Sequence, residues 1–333
     1  MPFARWIPQG RATNLTFFII RRILWMIPVL FFVIVITFFL MHLAPGSPWD
    51  REGKQLSPEV IKNLNIKYGL NKPLWEQFYL YIWGIIHFDF GDSLRSPGQH
   101  VSDRILVSWP YTFTLGAVTF VLLVPIGIGL GVIAALRQNT LVDYIALGVA
   151  TFSASTPNFV LGIFLIIVLA LGLNSLTGGT FYLNTGGMSS PWNPFQPELI
   201  MPVITLGALP TAYIARLTRT STLDTLRQDF VRTAWAKGLK ARLVVLRHVL
   251  KNSLIPVVTA LGPTFAFLVT GSFVVETVFS IPGIGRTFVT SIAARDYTMI
   301  LGTTILFAVM IAIVNLIVDV LYVFIDPRVR LTG

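Results

Sequence analysis

The chain has 333 residues, of which 54% are apolar and only 12% charged, and it contains no cysteine. Soluble domains carry about 25% charged residues, so a water-facing two-domain enzyme is excluded, and so are a disordered chain and a disulfide scaffold. The excess of 25 Lys+Arg over 15 Asp+Glu would suit nucleic acid only if it were gathered on a soluble module, and its distribution argues otherwise.

A bilayer core about 30 Å thick takes about 20 apolar residues of helix, because lipid offers no partner for backbone N–H and C=O groups. Residues 1–22 hold Arg5, Arg11, Arg21 and Arg22 and no acid, and Ile23–Leu43 is an uncharged first span. Its apolar run is longer than a signal peptide's, and Met41-His42-Leu43-Ala44-Pro45 is a poor cleavage site, so it is expected to remain as an anchor. Residues 44–110 form a long connection. In it, Ser57-Pro58-Glu59 has the residues of a helix start. From Leu74, Trp75, Phe78, Tyr79, Ile82, Trp83, Ile85 and Ile86 follow one another at helical spacing. This aromatic stripe fits either a helix lying at the membrane interface or the core of a small external subdomain.

Tyr111–Leu136 and Tyr144–Leu173 are uncharged, and Pro157 either kinks the second or leaves only part of it spanning. Gly127-Ile128-Gly129-Leu130-Gly131 lies inside a span, so Gly127 and Gly131 read as a GxxxG helix-packing pair and not as a nucleotide loop. Leu199–Ala215, Leu254–Val275 and Thr298–Val318 complete six expected spans. Glu276, Asp319 and Asp326 fall at span ends, where snorkelling or capping is expected, and no ionisable group sits near a span's middle. Gly283-Ile284-Gly285 after Pro282 reads as an external turn.

Basic residues orient the chain. The segment before the first span, Arg137, the connection 216–253 and the tail Arg328 and Arg330 place sixteen Lys/Arg on one side, against Arg286 and Arg295 in the short loops opposite. Both termini are therefore expected in the cytoplasm. No G-x-x-x-x-G-K-[ST] loop occurs, since Gly53-Lys54 is followed by Gln55, so the chain is not expected to hydrolyse ATP. His42, His87, His100 and His248 have no carboxylate at metal-ligand spacing, and no G-x-S-x-G elbow is present, so neither a metal site nor a hydrolase is expected.

Residues 216–253 carry the informative chemistry. On one helix from Trp235, Trp235, Leu239, Leu243, Leu246 and Leu250 share a face, while Lys237, Lys240, Arg247 and Lys251 point away; Gly238 equally allows two short helices joined at a turn. Such an apolar face rimmed by charge lies on lipid or plugs into a partner's groove.

The stretch Val231-Arg232-Thr233-Ala234-Trp235-Ala236-Lys237-Gly238-Leu239, followed by Arg247-His248-Val249-Leu250-Lys251-Asn252-Ser253-Leu254-Ile255-Pro256, resembles the EAA loop of permease subunits of ATP-binding-cassette importers. The dipeptide/oligopeptide branch is the nearer likeness. Arg21-Arg22-Ile23-Leu24, Ala44-Pro45-Gly46-Ser47-Pro48, Tyr68-Gly69-Leu70-Asn71-Lys72-Pro73-Leu74, Phe88-Asp89-Phe90-Gly91-Asp92-Ser93, Val275 to Arg286 and Asp326-Pro327-Arg328-Val329-Arg330 match that branch in order. There are departures: Arg232 and Thr233 replace the loop's opening Glu-Ala, and His248 and Lys251 replace Ile and Pro, while Ala234, Gly238 and Leu250 keep their places.

The resemblance implies an all-α integral membrane protein with six transmembrane helices and a type I importer permease fold. It divides the chain into a cytoplasmic N-terminus at 1–22, the anchor 23–43, an external segment 44–110, a permease core 111–325 with the coupling loop 216–253, and a cytoplasmic tail at 326–333. The expected setting is a prokaryotic inner membrane. The implied partners are a homologous second permease, two cytoplasmic ATPase subunits that bind the ATP, an external solute-binding protein and membrane lipid; no cofactor and no nucleic acid is implied. The implied ATPase-coupling residues are Arg232, Thr233, Ala234, Trp235, Ala236, Lys237, Gly238, Leu239, Leu243 and Leu250. Nickel chelates or oligosaccharides remain open as substrates in place of peptides, and a stand-alone carrier or channel is the more distant alternative.

Overall fold

The computed structural model describes residues 9–50, 56–180 and 183–325. Arg5, the Gly53-Lys54 pair, Asp326 and the Arg328 and Arg330 landmark lie outside them. Among the described residues the regular elements are all helices, and six are long and apolar enough to cross a bilayer: Phe17–Leu43, Val101–Leu136, Asn158–Leu176, Pro197–Leu226, Ala241–Val278 and Tyr297–Val320. The chain is an all-α, multi-pass membrane protein. It forms two compact units, residues 111–282 and the combination of 1–110 with 283–333.

In the second of these, α1 (Gln9–Leu43) packs along α14 (Tyr297–Ile325). Phe38 and Met41 of α1 meet Ile300 and Leu301 of α14 in a buried cluster, and Arg22 pairs with Asp319 at 2.8 Å. Asp319 thus has a cationic partner on a neighbouring helix. The connection after α1 contains α2 (Pro58–Lys67), started as expected by Ser57, whose hydroxyl accepts from the Val60 amide with Pro58 next in line. It also contains α3 (Leu74–Ile86). Asp296, 2% exposed, ties this connection to α14: its carboxylate accepts from the Ser93 hydroxyl, the Leu94 amide and the Met299 amide at the helix start. Arg295 pairs with Asp50 at 2.9 Å. The Gly283 turn leads at once into another helix, α13 (Ile284–Ala294), whose Ile284 is fully buried against Val101, Ile105 and Met299.

In the unit formed by residues 111–282, the rest of α4 (Val101–Leu136) is followed by α5 (Leu141–Ser155) and α6 (Asn158–Leu165). The break between α5 and α6 settles the two readings of Tyr144–Leu173. Pro157 drives Thr156 into an extended conformation, φ −90° and ψ 122°, so only the later part is long enough to span. That part runs from α6 through a π-helical stretch, Ile166–Gly172, into the short α7 (Leu173–Leu176). The central helix is α8 (Ile200–Leu226), where Met201, Leu206, Ile214, Thr218 and Thr222 are all 1% exposed or less. It meets α5, α6 and α11 (Leu250–Val269). Gly127 and Gly131 face α8 at short range. A Cβ on Gly131 would stand 2.5 Å from the Ala215 carbonyl oxygen and 2.6 Å from the Thr218 Cβ, and one on Gly127 would stand 3.0 Å from the Thr211 carbonyl oxygen. Glycine at 131 lets the two backbones approach where any side chain would force them apart.

The expectation for Glu276 needs correction. It lies in α12 (Phe273–Val278), 0% exposed, and accepts a 2.9 Å hydrogen bond from the Thr112 hydroxyl. The carboxylate does not snorkel, because Thr270-Gly271 ends α11 and turns α12 back against α4 and α8 before the chain leaves this unit.

Candidate functional site

The segment between α8 and α11 builds a small core of its own. α9 (Asp229–Ala236) is followed by a turn at Gly238, a single helical turn α10 (Ala241–Leu243), and a π-helical stretch Val244–Val249 that runs into α11. Of the two arrangements the pattern allowed, two helices joined at a turn is the one observed. Its cause is local. Gly238 adopts φ +72°, its amide donates to the Trp235 carbonyl at 2.9 Å, and the Leu239 amide donates to the Ala234 carbonyl at 3.4 Å. This pair of bonds is a Schellman motif, which takes a left-handed residue after the helix end and returns the next apolar residue to the helix. Leu239 accordingly packs with Ala234.

The buried cluster is Val231, Ala234, Val244 and Val249, with Leu226 and Leu239 against it. The apolar face drawn on a single helix keeps Trp235, Leu243 and Leu246 outward, as a lipid- or partner-facing surface requires, and is corrected at Leu239, which packs inward. Trp235 is 45% exposed, Leu243 42% and Leu246 55%, while Leu250 is half-buried. Val244 and Val249 stand about 140° apart at 3.6 residues per turn. Both are 0% exposed because the intervening π-turns widen the helix and bring residues five apart onto one side. Turning the valines inward leaves Leu243 and Leu246 outside.

Arg232, Thr233, Ala236, Lys237 and Gly238 are exposed, with Arg232 within 3.5 Å of Asp229 and the Thr233 hydroxyl donating to the Asp229 carbonyl. Trp235, Leu243 and Leu246 are thus exposed on this element, as are Phe230, 43% exposed, and Lys237, Lys240, Arg242 and Arg247. Sequence reasoning placed Trp235 and Leu243 here but missed Phe230, whose isolated position before Val231 gave no periodic signal.

Two polar contacts join this element to the helices behind it. The Ser221 hydroxyl of α8 donates to the Ser253 carbonyl of α11 at 2.7 Å, and the buried Thr222 hydroxyl lies 3.4 Å from that of Ser253. One turn earlier, Arg219 makes a two-pronged ion pair with Asp143 of α5, Nε to Oδ1 and Nη2 to Oδ2 both at 2.7 Å, with Asp143 1% exposed. Hydrogen bonding from Arg219 above all, helped by the Asn139 amide and the guanidinium charge, holds the Asp143 carboxyl below the usual carboxylate range against the opposing effect of burial. This pair, too, was missed, because its members lie 76 residues apart and no local motif links them. Gly127 and Gly131 are not part of the exposed surface; they belong to the α4–α8 contact.

Among the described residues no group of three or more His, Cys, Asp or Glu could hold a metal ion. What the element offers chemically is exposed aromatic and aliphatic side chains interspersed with exposed cations, over a buried cluster of its own.

Residues 127–331 match the family of binding-protein-dependent transport system inner membrane components, and residues 15–116 match the N-terminal membrane component that accompanies it. The chain is 43% identical over 313 residues to an oligopeptide transport system permease protein of Salmonella typhimurium, covering 94% of this chain and 99% of that protein. It is 40% identical over 314 residues to a dipeptide transport system permease protein of Bacillus subtilis, with 94% and 98% covered. The corresponding Lactococcus lactis protein is 36% identical, with 94% and 99% covered. Among solved structures, a chain of an amino acid ABC transporter crystallised with histidines aligns with TM-score 0.48 and 15% identity over 66% of this chain and 93% of that one.

Proposed function

Because the chain belongs to the family of binding-protein-dependent transport system inner membrane components, we propose that it is a permease subunit of an ATP-driven peptide importer and forms half of the translocation path. The relatives named as oligopeptide and dipeptide permeases, aligned over nearly their full length, support peptides as the cargo. A homologous permease supplies the other half, an external binding protein delivers peptide, and two ATPase subunits bind and hydrolyse ATP. The chain takes no cofactor of its own. The concentration of Lys and Arg in residues 1–22 and 216–253 supports a cytoplasmic position for both termini and for the coupling loop.

The observation that carries this reading is the independently packed element at residues 229–250. Its exposed Phe230, Trp235, Leu243 and Leu246 fit a groove on an ATPase subunit, and the core of Val231, Ala234, Val244 and Val249 lets it move as one body. Movement passes to the membrane helices through the Ser221–Ser253 contact and through α8, and the Asp143–Arg219 pair carries α5 along. When ATP binding draws the ATPase subunits together, this linkage rocks the permease halves between inward and outward opening.

The test is to replace Trp235 and Leu246 together with serine and purify the complex from membranes. Both side chains are about half exposed, so the chain is expected to fold, while the ATPase subunits are lost from the complex and peptide uptake falls at least about tenfold, as for truncation of a central docking residue. Retention of the ATPase subunits with unchanged peptide-stimulated hydrolysis overturns the coupling assignment.

A further inference from the structure

α3 is amphipathic in an unusual sense, since both of its faces are apolar. One face packs on α1. The Phe78 ring lies 5.2 Å from Phe38, 6.0 Å and nearly parallel from Phe39, and 6.5 Å from Phe31. The other face presents Trp75, 71% exposed, Tyr79, 59%, Trp83, 54%, and Ile86, 64%. Spaced four, four and three residues apart, these four side chains form one continuous stripe along the helix.

The contacts with α1 set the depth of α3. The uncharged part of α1 runs from Ile23, next to Arg22, to Leu43, which at 1.5 Å per residue is about the 30 Å thickness of a bilayer's hydrocarbon core. His42, near its far end, lies 3.3 Å from Gln77 of α3, a polar contact suited to the boundary. Phe38 and Phe31 stand about 6 and 16 Å below His42 along the helix at the same rise, so the Phe78 ring that bridges them sits well inside the hydrocarbon. On α1, Phe32, Ile36 and Leu40 are exposed. Within α3 the only charged residue is Glu76, paired with Lys72 at 2.8 Å near the helix start.

We propose that α3 is a membrane-embedded anchor, inserted in the leaflet at the Leu43 end of α1, with the Trp75–Tyr79–Trp83–Ile86 stripe seated among phospholipid acyl chains and the ring heteroatoms near their ester groups. This goes beyond the transport reading and stands independently of which substrate is carried. Trp and Tyr suit this position because an apolar body and a polar edge match the boundary layer. A protein partner docking on an aqueous surface would have to cover a face that begins below the membrane boundary. By this anchor α3 holds α2 and the rest of the external segment close to the bilayer, within reach of anything that approaches the outer opening.

The absence of cysteine from the chain permits a direct test. Single cysteines introduced as Tyr79→Cys and Trp83→Cys, with Phe32→Cys as a lipid-facing reference and Lys62→Cys as a water-facing one, are spin-labelled in the full chain reconstituted into phosphatidylethanolamine/phosphatidylglycerol vesicles. Collision with oxygen and with a water-soluble nickel chelate is then compared. The expected result is an oxygen-to-nickel accessibility ratio at positions 79 and 83 equal to that at 32 and several-fold above that at 62. Ready collision with nickel at 79 and 83 overturns the proposal. So does protection from both reagents, whether constant or appearing only when the external binding protein is added, because either marks a protein contact. Native-sequence chain provides a check free of labels: brominated acyl chains should quench its tryptophan emission, and Trp83→Phe and Trp75→Phe should each remove part of that quenching. Quenching unaltered by both substitutions counts against the anchor.

Discussion

Two short helical regions of this chain expose aromatic and aliphatic side chains, and they differ in what surrounds them. Exposed Phe230, Trp235, Leu243 and Leu246 share their segment with four exposed cations, Lys237, Lys240, Arg242 and Arg247, whereas the stripe on α3 from Trp75 to Ile86 has one ion pair, Lys72–Glu76, at its start and His87 beside Trp83 at its end. The loop also carries a buried cluster of its own beneath the exposed residues, while α3 has none and rests on the rings of α1. Exposure alone does not identify a partner. Apolar side chains interspersed with charge over a private core are built to keep their shape in water and meet another protein, and an apolar stripe with polar groups only at its ends, leaning on a membrane helix, is built for lipid.

The sharpest way to break this comparison is to destroy the private core. Ala234 is 4% exposed, among Val231, Val244 and Val249. Ala234→Asp should therefore cost about 3–5 kcal/mol, as an unpaired buried charge does. Peptide uptake and stimulation of the ATPase subunits should both be lost, while the tryptophan quenching by brominated lipid that reports on α3 is retained. Loss of that quenching as well would show that the two regions do not fold separately.

A smaller effect is expected at the ion pair behind the loop. Asp143→Asn removes the charge that holds Arg219, at a cost of about 2 kcal/mol for charge-assisted hydrogen bonds, and should weaken coupling more than assembly. The pair also gives a pH signature. Since the folded-state pKa of Asp143 lies below its ordinary value, its contribution to stability is complete above the unfolded pKa of about 3.9 and is lost as pH falls through the lower, folded value. Thermal unfolding of the detergent-solubilised chain should therefore show an acid limb below about pH 4 that is shallower in Asp143→Asn, with a constant offset between the two at neutral pH. Parallel curves down to the most acid point would remove the pair from the account.

The six spans were legible in the sequence because hydrocarbon imposes a length and a composition that nothing else imitates, and Pro157 correctly marked the weak point in Tyr144–Leu173. Ser57-Pro58 announced α2 through a cap that acts within one turn. The loop was readable only in part. Gly238 signalled the turn, and the helical wheel put Trp235, Leu243 and Leu246 on the side that is exposed, but the π-turns at Val244–Val249 bring Val244 and Val249 together inside, which a wheel drawn at 3.6 residues per turn cannot register. Glu276 failed for a different reason: its burial depends on α11 ending at Thr270 and on Thr112 being across from it, a tertiary arrangement with no local trace. For α3, periodicity gave the stripe and left its setting open; the depth came from Phe78 meeting Phe31 and Phe38.

The finest test of the loop separates backbone from contact at Gly238. A Cβ at this position would meet nothing within 4 Å, so a substitution there acts only through the φ of +72°. Alanine in the left-handed region costs about 1–2 kcal/mol, whereas asparagine visits it routinely and should cost less. If the turn serves to present Trp235 and Leu243 in fixed relation, Gly238→Ala should lower transport with the ATPase subunits still bound, and Gly238→Asn should restore most of it. Should the two variants behave alike, the side chain itself would be meeting a partner's surface, and the open space beside Gly238 would belong to the docking interface. Either way the result concerns the loop alone, since α3 closes through a left-handed residue of its own, Phe88 at φ +60°, whose amide donates to the Ile85 carbonyl at 3.0 Å while the Asp89 amide donates to that of Gly84 at 2.9 Å.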